Sequence, residues 1–122
     1  MIDHTGVQVT DLDRSVAFYT KLLAPLGYVL IMRFPEVAGF GTDGKPDLWL
    51  HVGTPTDKSH VAIRAKGRAE IRAYHAAGLA AGGTDNGAPG LRERYHPNYY
   101  GAFVRDPDGH NIEAVCHEPF LG

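Results

Sequence analysis

Residues 4–27 read HTGVQVTDLDRSVAFYTKLLAPLG, and residues 60–83 read HVAIRAKGRAEIRAYHAAGLAAGG. With His4 laid over His60, Val7 meets Ile63, Phe18 meets Tyr74, Leu23 meets Leu79 and Gly27 meets Gly83. Both stretches follow one plan: an alternating strand, an amphipathic helix, a glycine stop. In the first, Ile2–Val9 alternates, Asp11 has the side chain of an N-cap, and Leu12, Val16, Tyr19 and Leu23 recur at helical spacing until Gly27. In the second, Ser59–Ala65 is the predicted strand and Arg68–Ala81 the predicted helix. Ile71, Tyr74 and Leu79 form its apolar stripe, and Gly82-Gly83 ends it.

Outward from these stretches, strand-like runs follow each helix. The first half offers Tyr28–Arg33, Glu36–Thr42 and Asp47–Val52; the second offers a run around Leu91–Tyr95, then Tyr99–Arg105 and Asn111–His117. Asp43-Gly44 and Asp108-Gly109 are turn signals before the last strand of each half. Each half is therefore a βαβββ module. A module of about 60 residues buries too little apolar surface to stand alone. The expectation is one α+β domain spanning 1–122, built from modules of about 1–56 and 57–122. Its eight strands are expected to form one curved mixed sheet with both helices on the convex face. Thr84–Asn98, rich in Gly, Pro, Asn and Tyr, is the one long connection and is expected to be an irregular, functional loop.

Composition narrows the function classes. Hydrophobic residues at 43% and charged residues at 21% are those of an ordinary globular domain. A net charge of −2 with no run of Lys or Arg argues against nucleic acid and against a membrane surface. The longest apolar run, Tyr28–Met32, is too short to cross a bilayer. Cys116 is the single cysteine, which excludes an internal disulfide framework. With no basic and apolar leader at the start, the chain is expected in the cytoplasm.

Alternation gives each strand two faces. Val7 and Val9 oppose His4, Gly6 and Gln8; Leu48 and Leu50 oppose Trp49 and His51; Val61 and Ile63 oppose His60; Ile112, Ala114 and Cys116 oppose Glu113. The apolar faces can pack on helices, and the other faces would line a concave site. Two imidazoles and one carboxylate suit a first-row divalent ion and leave coordination positions open for substrate or water. A wet sheet face can carry the same groups without any ligand, so the trio alone does not specify a metal site.

Three stretches resemble the vicinal oxygen chelate superfamily, which holds glyoxalase I, extradiol dioxygenases and bleomycin- or fosfomycin-resistance proteins. His4–Tyr19 is similar to the opening strand and helix, with a histidine ahead of Val-x-Asp-Leu-x-x-Ser-x-x-Phe-Tyr. His60-Val-Ala-Ile63 is similar to the mid-chain His-x-Ala segment, and Ala102-Phe-Val-Arg-Asp-Pro-Asp-Gly-His-Asn-Ile-Glu113 to the closing motif. The resemblance implies the paired βαβββ fold and one divalent ion (Zn, Fe, Mn, Ni or Co) on His4, His60 and Glu113. It also implies substrate chelation by lyase, isomerase or dioxygenase chemistry, with Glu113 at the reacting centre. Relatives often form homodimers, and in some of them the halves of a site come from different subunits.

One departure bears on the reaction. Trp49 stands where four-ligand members carry a second carboxylate or a glutamine. Glyoxalase I chemistry needs a carboxylate base near the metal, so that activity is in doubt. His51, two residues on, is a catalytic candidate as extra ligand or base, or else a pocket wall. Gln8, Trp49, Arg92, Tyr95, Tyr99 and Phe103 are the expected walls of a small-molecule pocket; arginines beside tyrosines could grip an anionic or aromatic ligand. The alternative function is a binding module that sequesters a drug or metabolite without chemistry, as bleomycin-resistance relatives do.

Overall fold

The computed structural model describes residues 1–119, so the last three residues of the expected domain lie outside the described part. The first module runs β1 (Thr5–Val9), α1 (Leu12–Leu23), a 3-10 turn (Ala24–Leu26), β2 (Val29–Arg33), β3 (Val37–Thr42) and β4 (Lys45–Val52). The second runs β5 (His60–Arg64), α2 (Arg68–Ala80), β6 (Thr84–Leu91), β7 (Tyr100–Arg105) and β8 (Asn111–Cys116). Both modules are βαβββ units of an α+β fold. No helix among the described residues is long and apolar enough to cross a membrane.

The local signals act as their chemistry requires. The Asp11 side chain accepts from the Arg14 N–H at the start of α1, and Gly27 takes the left-handed conformation (φ 81°) that ends the helical run. Asp43 (φ 54°) and Gly44 (φ 75°) form the two-residue hairpin between β3 and β4. Leu12, Val16, Tyr19 and Leu23 are buried as their spacing demands.

Three expectations change. Hydrogen bonding divides the strands into two four-stranded mixed sheets, ordered β1-β4-β3-β2 and β5-β8-β7-β6, rather than one sheet of eight. The strand expected around Leu91–Tyr95 instead occupies Thr84–Leu91, where a Gly-, Pro- and Asn-containing sequence hid it. Pairing with β7 carries it through two register breaks, and Gly87 (φ 155°) sits at both of them. The irregular loop shrinks to residues 92–99. Finally, Leu79 faces outward, 41% exposed, and Gly78 is buried in its place.

Gly78 explains the packing of the halves. A Cβ there would lie 2.7 Å from Leu22 Cδ1, so only glycine lets α2 come this close to α1. Each helix covers its own sheet, and the helices also contact each other. One apolar cluster therefore runs from sheet through both helices to sheet. Polar bonds fasten the same join. The Tyr19 hydroxyl donates to Asp106 Oδ2 at 2.6 Å in the buried interior, and Thr10 Oγ1 donates to Asp108 Oδ1 at 2.7 Å. Asp106 Oδ1 accepts the N–H groups of Asp108 and His110, which shapes the turn. The buried His110 ring accepts the Ser59 N–H at Nδ1 (2.9 Å), so Nε2 carries the proton and donates to the Gln8 carbonyl at 2.7 Å. Most of the Asp-Pro-Asp-Gly-His segment is thus fastening between modules.

Replacing Tyr19 with Phe leaves the buried Asp106 carboxylate short of a donor and is expected to lower stability by about 1.5–3 kcal/mol. Urea unfolding measures it; an unchanged midpoint would show that this bond does not hold the join. A second prediction concerns Tyr28, whose hydroxyl donates to Asp47 Oδ2 at 2.9 Å. Burial, then the bond to Asp47, pushes its pKa up to about 12. A phenol pKa raised on folding contributes stability that is complete below about 10, the unfolded value, and is lost as pH rises through the folded value. The difference in urea midpoint between the wild type and Tyr28→Phe should be constant from about pH 7 to 9 and shrink above about 10.

Candidate functional site

The two sheets place their chemistry by the same register. Gly6 of β1 pairs with Trp49 of β4, and Ala62 of β5 pairs with Glu113 of β8. His4 lies two residues before Gly6, as His60 lies two before Ala62. Trp49 and Glu113 therefore occupy equivalent positions, and each module carries half of the expected constellation.

In the second module the half-site is built around a buried carboxylate. Glu113 is 1% exposed. Its Oε1 lies 2.9 Å from His60 Nε2, and its Oε2 accepts the Tyr99 hydroxyl proton. Gly101 leaves room for this contact, since a Cβ there would stand 3.3 Å from Oε2. Burial, then the bond to Glu113, raises the Tyr99 pKa well above the usual phenol range, so the hydroxyl stays protonated as a donor. Tyr99 is wedged between rings: its centroid lies 4.7 Å from Tyr95, 5.5 Å from His96 and 5.3 Å from His117. His96 Nδ1 accepts the Asn98 N–H, so its Nε2 carries the proton and faces His117 Nδ1 at 2.7 Å. The His60 side chain is 54% exposed and opens the pair onto a cavity of about 440 Å³. Arg92, Arg94, Tyr95, Phe103 and Asn111 line it beside His60.

The first module presents a separate cavity of about 420 Å³, lined by His4, Val37, Trp49 and His51. Gly39 lets the indole of Trp49 lie against the sheet, because a Cβ there would come within 2.9 Å of the ring. His4 donates from Nδ1 to Asp3 Oδ2 at 2.8 Å, which leaves Nε2 as a free lone pair. Bonds from Lys45 first and His4 second hold the Asp3 carboxyl down to about 2, so it stays ionised.

The fold brings together His60, Glu113 and Tyr99 in one half-site, and His4, Trp49 and His51 in the other. Among the described residues no three His, Cys, Asp or Glu side chains converge closely enough to hold a metal ion. One chain folded in this way does not unite His4 with His60 and Glu113. Arg92, Tyr95 and Phe103 line the second cavity. Gln8 lines neither cavity; its amide lies against Gly53 and its carbonyl serves His110. Sequence reading missed Asp3, whose only signal was its place beside His4, and the contacts of His117, which depend on how the 92–99 loop folds back.

Over residues 1–114 the chain matches the glyoxalase/bleomycin resistance protein/dioxygenase superfamily, and it belongs to that superfamily. A glyoxalase/bleomycin resistance protein from Albidiferax ferrireducens T118 is 30% identical, with 93% of this chain and 96% of that one covered at a TM-score of 0.77. A glyoxalase/bleomycin resistance protein/dioxygenase family enzyme from Burkholderia phytofirmans PsJN is 20% identical, covering 96% and 98% at 0.74. A lactoylglutathione lyase from Agrobacterium tumefaciens is 20% identical, covering 94% and 92% at 0.69. The last two similarities show the fold alone. No curated protein matches the chain.

Tyr99→Phe removes a donor from the buried carboxylate and should lower stability by about 1.5–3 kcal/mol, whereas Tyr95→Phe, which keeps its ring, should cost under about 0.5 kcal/mol. Equal losses in chemical denaturation would show that the Tyr99 hydroxyl does not support Glu113.

Proposed function

We propose that the protein is a metal-dependent enzyme acting on a small oxygenated substrate, by lyase, isomerase or dioxygenase chemistry, at a site completed by a second copy of the chain. The observation that carries this reading is Glu113. It is a fully buried carboxylate with no Lys or Arg partner among the described residues, and it is held only by an imidazole and a phenol. Burying a carboxylate costs several kcal/mol unless a cation or a full set of donors compensates. The donor set fits a divalent ion: His60 and Glu113 supply a nitrogen and an oxygen from one copy, and the free Nε2 of His4 supplies the third from another. Zn, Fe, Mn, Ni and Co all suit these donors.

An ion held there supplies Lewis-acid polarisation of the substrate oxygens. The protein's own side chains do the rest. Tyr99 fixes the Glu113 carboxylate from behind, and Asp3 fixes the His4 ring, as outer partners commonly orient metal-binding groups. His51 stands in the His4 cavity as the group that can take or return a proton. Trp49 and Phe103 give apolar walls that exclude water. Trp49 at the position equivalent to Glu113 removes the second carboxylate, so glyoxalase I activity itself is not the activity proposed. Lone Cys116, buried in the core, is consistent with a cytoplasmic setting.

Metal analysis of natively purified protein tests the reading without a substrate. Bound divalent metal is expected, and Glu113→Ala should lose it. Separate His4→Ala and Glu113→Ala proteins should each bind poorly. Equal mixing with subunit exchange in a dimer makes half the dimers mixed, each with one intact site, and so recovers about a quarter of the wild-type metal content. No metal in native protein and none taken up on titration would sink the metal reading; no recovery on mixing would sink the shared site. A second reading, sequestration without chemistry, draws on the cavity around Trp49. Tryptophan quenching by a ligand in metal-free protein would favour it.

A further inference from the structure

Two guanidiniums, those of Arg92 and Arg94, share the cavity beside His60. We propose that the substrate is a carboxylate and that Arg92 and Arg94 hold its anionic end in the cavity next to His60. This rests on the reading of that cavity as half of the active site and names the class of molecule it takes.

Three observations carry it. First, neither guanidinium has an acidic partner among the described residues. Arg92 donates to the Ala88 carbonyl at 2.8 Å and Arg94 to the Tyr95 hydroxyl at 3.3 Å. Elsewhere, Arg14, Arg33 and Arg64 each pair with a carboxylate, on Asp108, Asp13 and Glu118, while Arg105 donates to the Gly109 carbonyl; what sets Arg92 and Arg94 apart is that both line one recess. Glu93 lies between the two arginines in sequence and pairs with neither. Second, both guanidiniums rest beside aromatic rings. Arg92 Cζ sits 5.4 Å from the centroid of the Phe103 ring, and Arg94 Cζ sits 5.0 Å from that of Tyr95. Cation–π contact holds each guanidinium near its ring, and the N–H donors not used locally can meet a planar carboxylate in fork geometry.

Third, the cavity holds no compensating charge. Its described lining contains no Asp or Glu, and Asn86 and Asn111 hydrogen-bond each other at 3.1 Å. Glu113 lies beneath, covered and already engaged by His60 and Tyr99. Two like charges brought into one recess repel, and a protein of net charge −2 has no general need for such a patch. No lysine lines the recess, so an anion there meets forked guanidinium donors, a geometry that a planar carboxylate matches bidentately. A substrate whose acid group meets the arginines would direct its remaining oxygens toward His60.

The test uses two probes that differ in one group: the catechol acid protocatechuate and its uncharged primary amide. Both carry adjacent hydroxyls, and only one carries the anion. Calorimetric titration of metal-loaded and metal-free protein should show the acid binding at least about tenfold more tightly than the amide, a gap that narrows from about 50 to about 500 mM salt. Arg94→Gln and Arg92→Gln should each erase most of the gap between acid and amide. Arg92→Lys, which keeps the charge and loses the fork, should retain only part of it. Equal affinities, a gap that survives both Gln variants, or no binding of either probe overturns the anion pocket. If the amide then still prefers metal-loaded protein, the metal reading stands without it. An arginine-dependent preference for the acid that is the same with and without metal upholds the pocket and counts against the metal.

Discussion

The Tyr19 hydroxyl crosses the join between the modules to reach Asp106, inside the cluster that buries the apolar faces of both sheets. A four-stranded sheet with one helix buries too small a share of its surface to be more than marginally stable by itself. The helices must therefore be covered, and here each covers the other, at the close approach that Gly78 permits. The consequences reach the chemistry. With helices between the sheets, the face of each sheet that carries His4 and Trp49, or His60 and Glu113, is the face turned away from the core. The same packing that stabilises the chain separates the two halves of the site.

The halves are related by register but differ in kind. At equivalent positions one sheet has an indole lying on Gly39 and the other has a carboxylate fixed by Tyr99 and His60. The first half carries the His4 imidazole, the Trp49 indole and His51; the second carries the His60 imidazole, the Glu113 carboxylate and two arginines beside aromatic rings. In the proposed shared site the halves complement each other, because the proposed donor set needs residues of both. The closing motif shows a similar division of labour along one segment. Asp106, Asp108 and His110 fasten the modules, and Glu113, one strand turn later, faces the cavity side.

Much of this was legible in the residues. The repeat placed His4 over His60, alternation put Glu113, Trp49 and His51 on the polar faces, and Asp11, Gly27 and Asp43-Gly44 marked where helices and a hairpin begin and end. β6 was not legible, because its hydrogen bonds are formed by a Gly- and Pro-containing backbone whose side chains carry no alternation. Leu79 was misread because helical spacing reports which residues share a face and not how close a neighbouring helix will come; Gly78 decided that.

Sequence by itself determined the modules, the polar face of each strand and the residue types available to a ligand, since periodicity and turn chemistry are local properties. Tertiary structure alone decided that the strands form two sheets, that no three His, Cys, Asp or Glu side chains converge among the described residues, and that His60 and Tyr99 engage the carboxylate beside a recess lined by Arg92 and Arg94. Those outcomes depend on how helices pack and how the 92–99 loop folds over β7 and β8. They are set by contacts between residues far apart in the chain, to which no local pattern is sensitive.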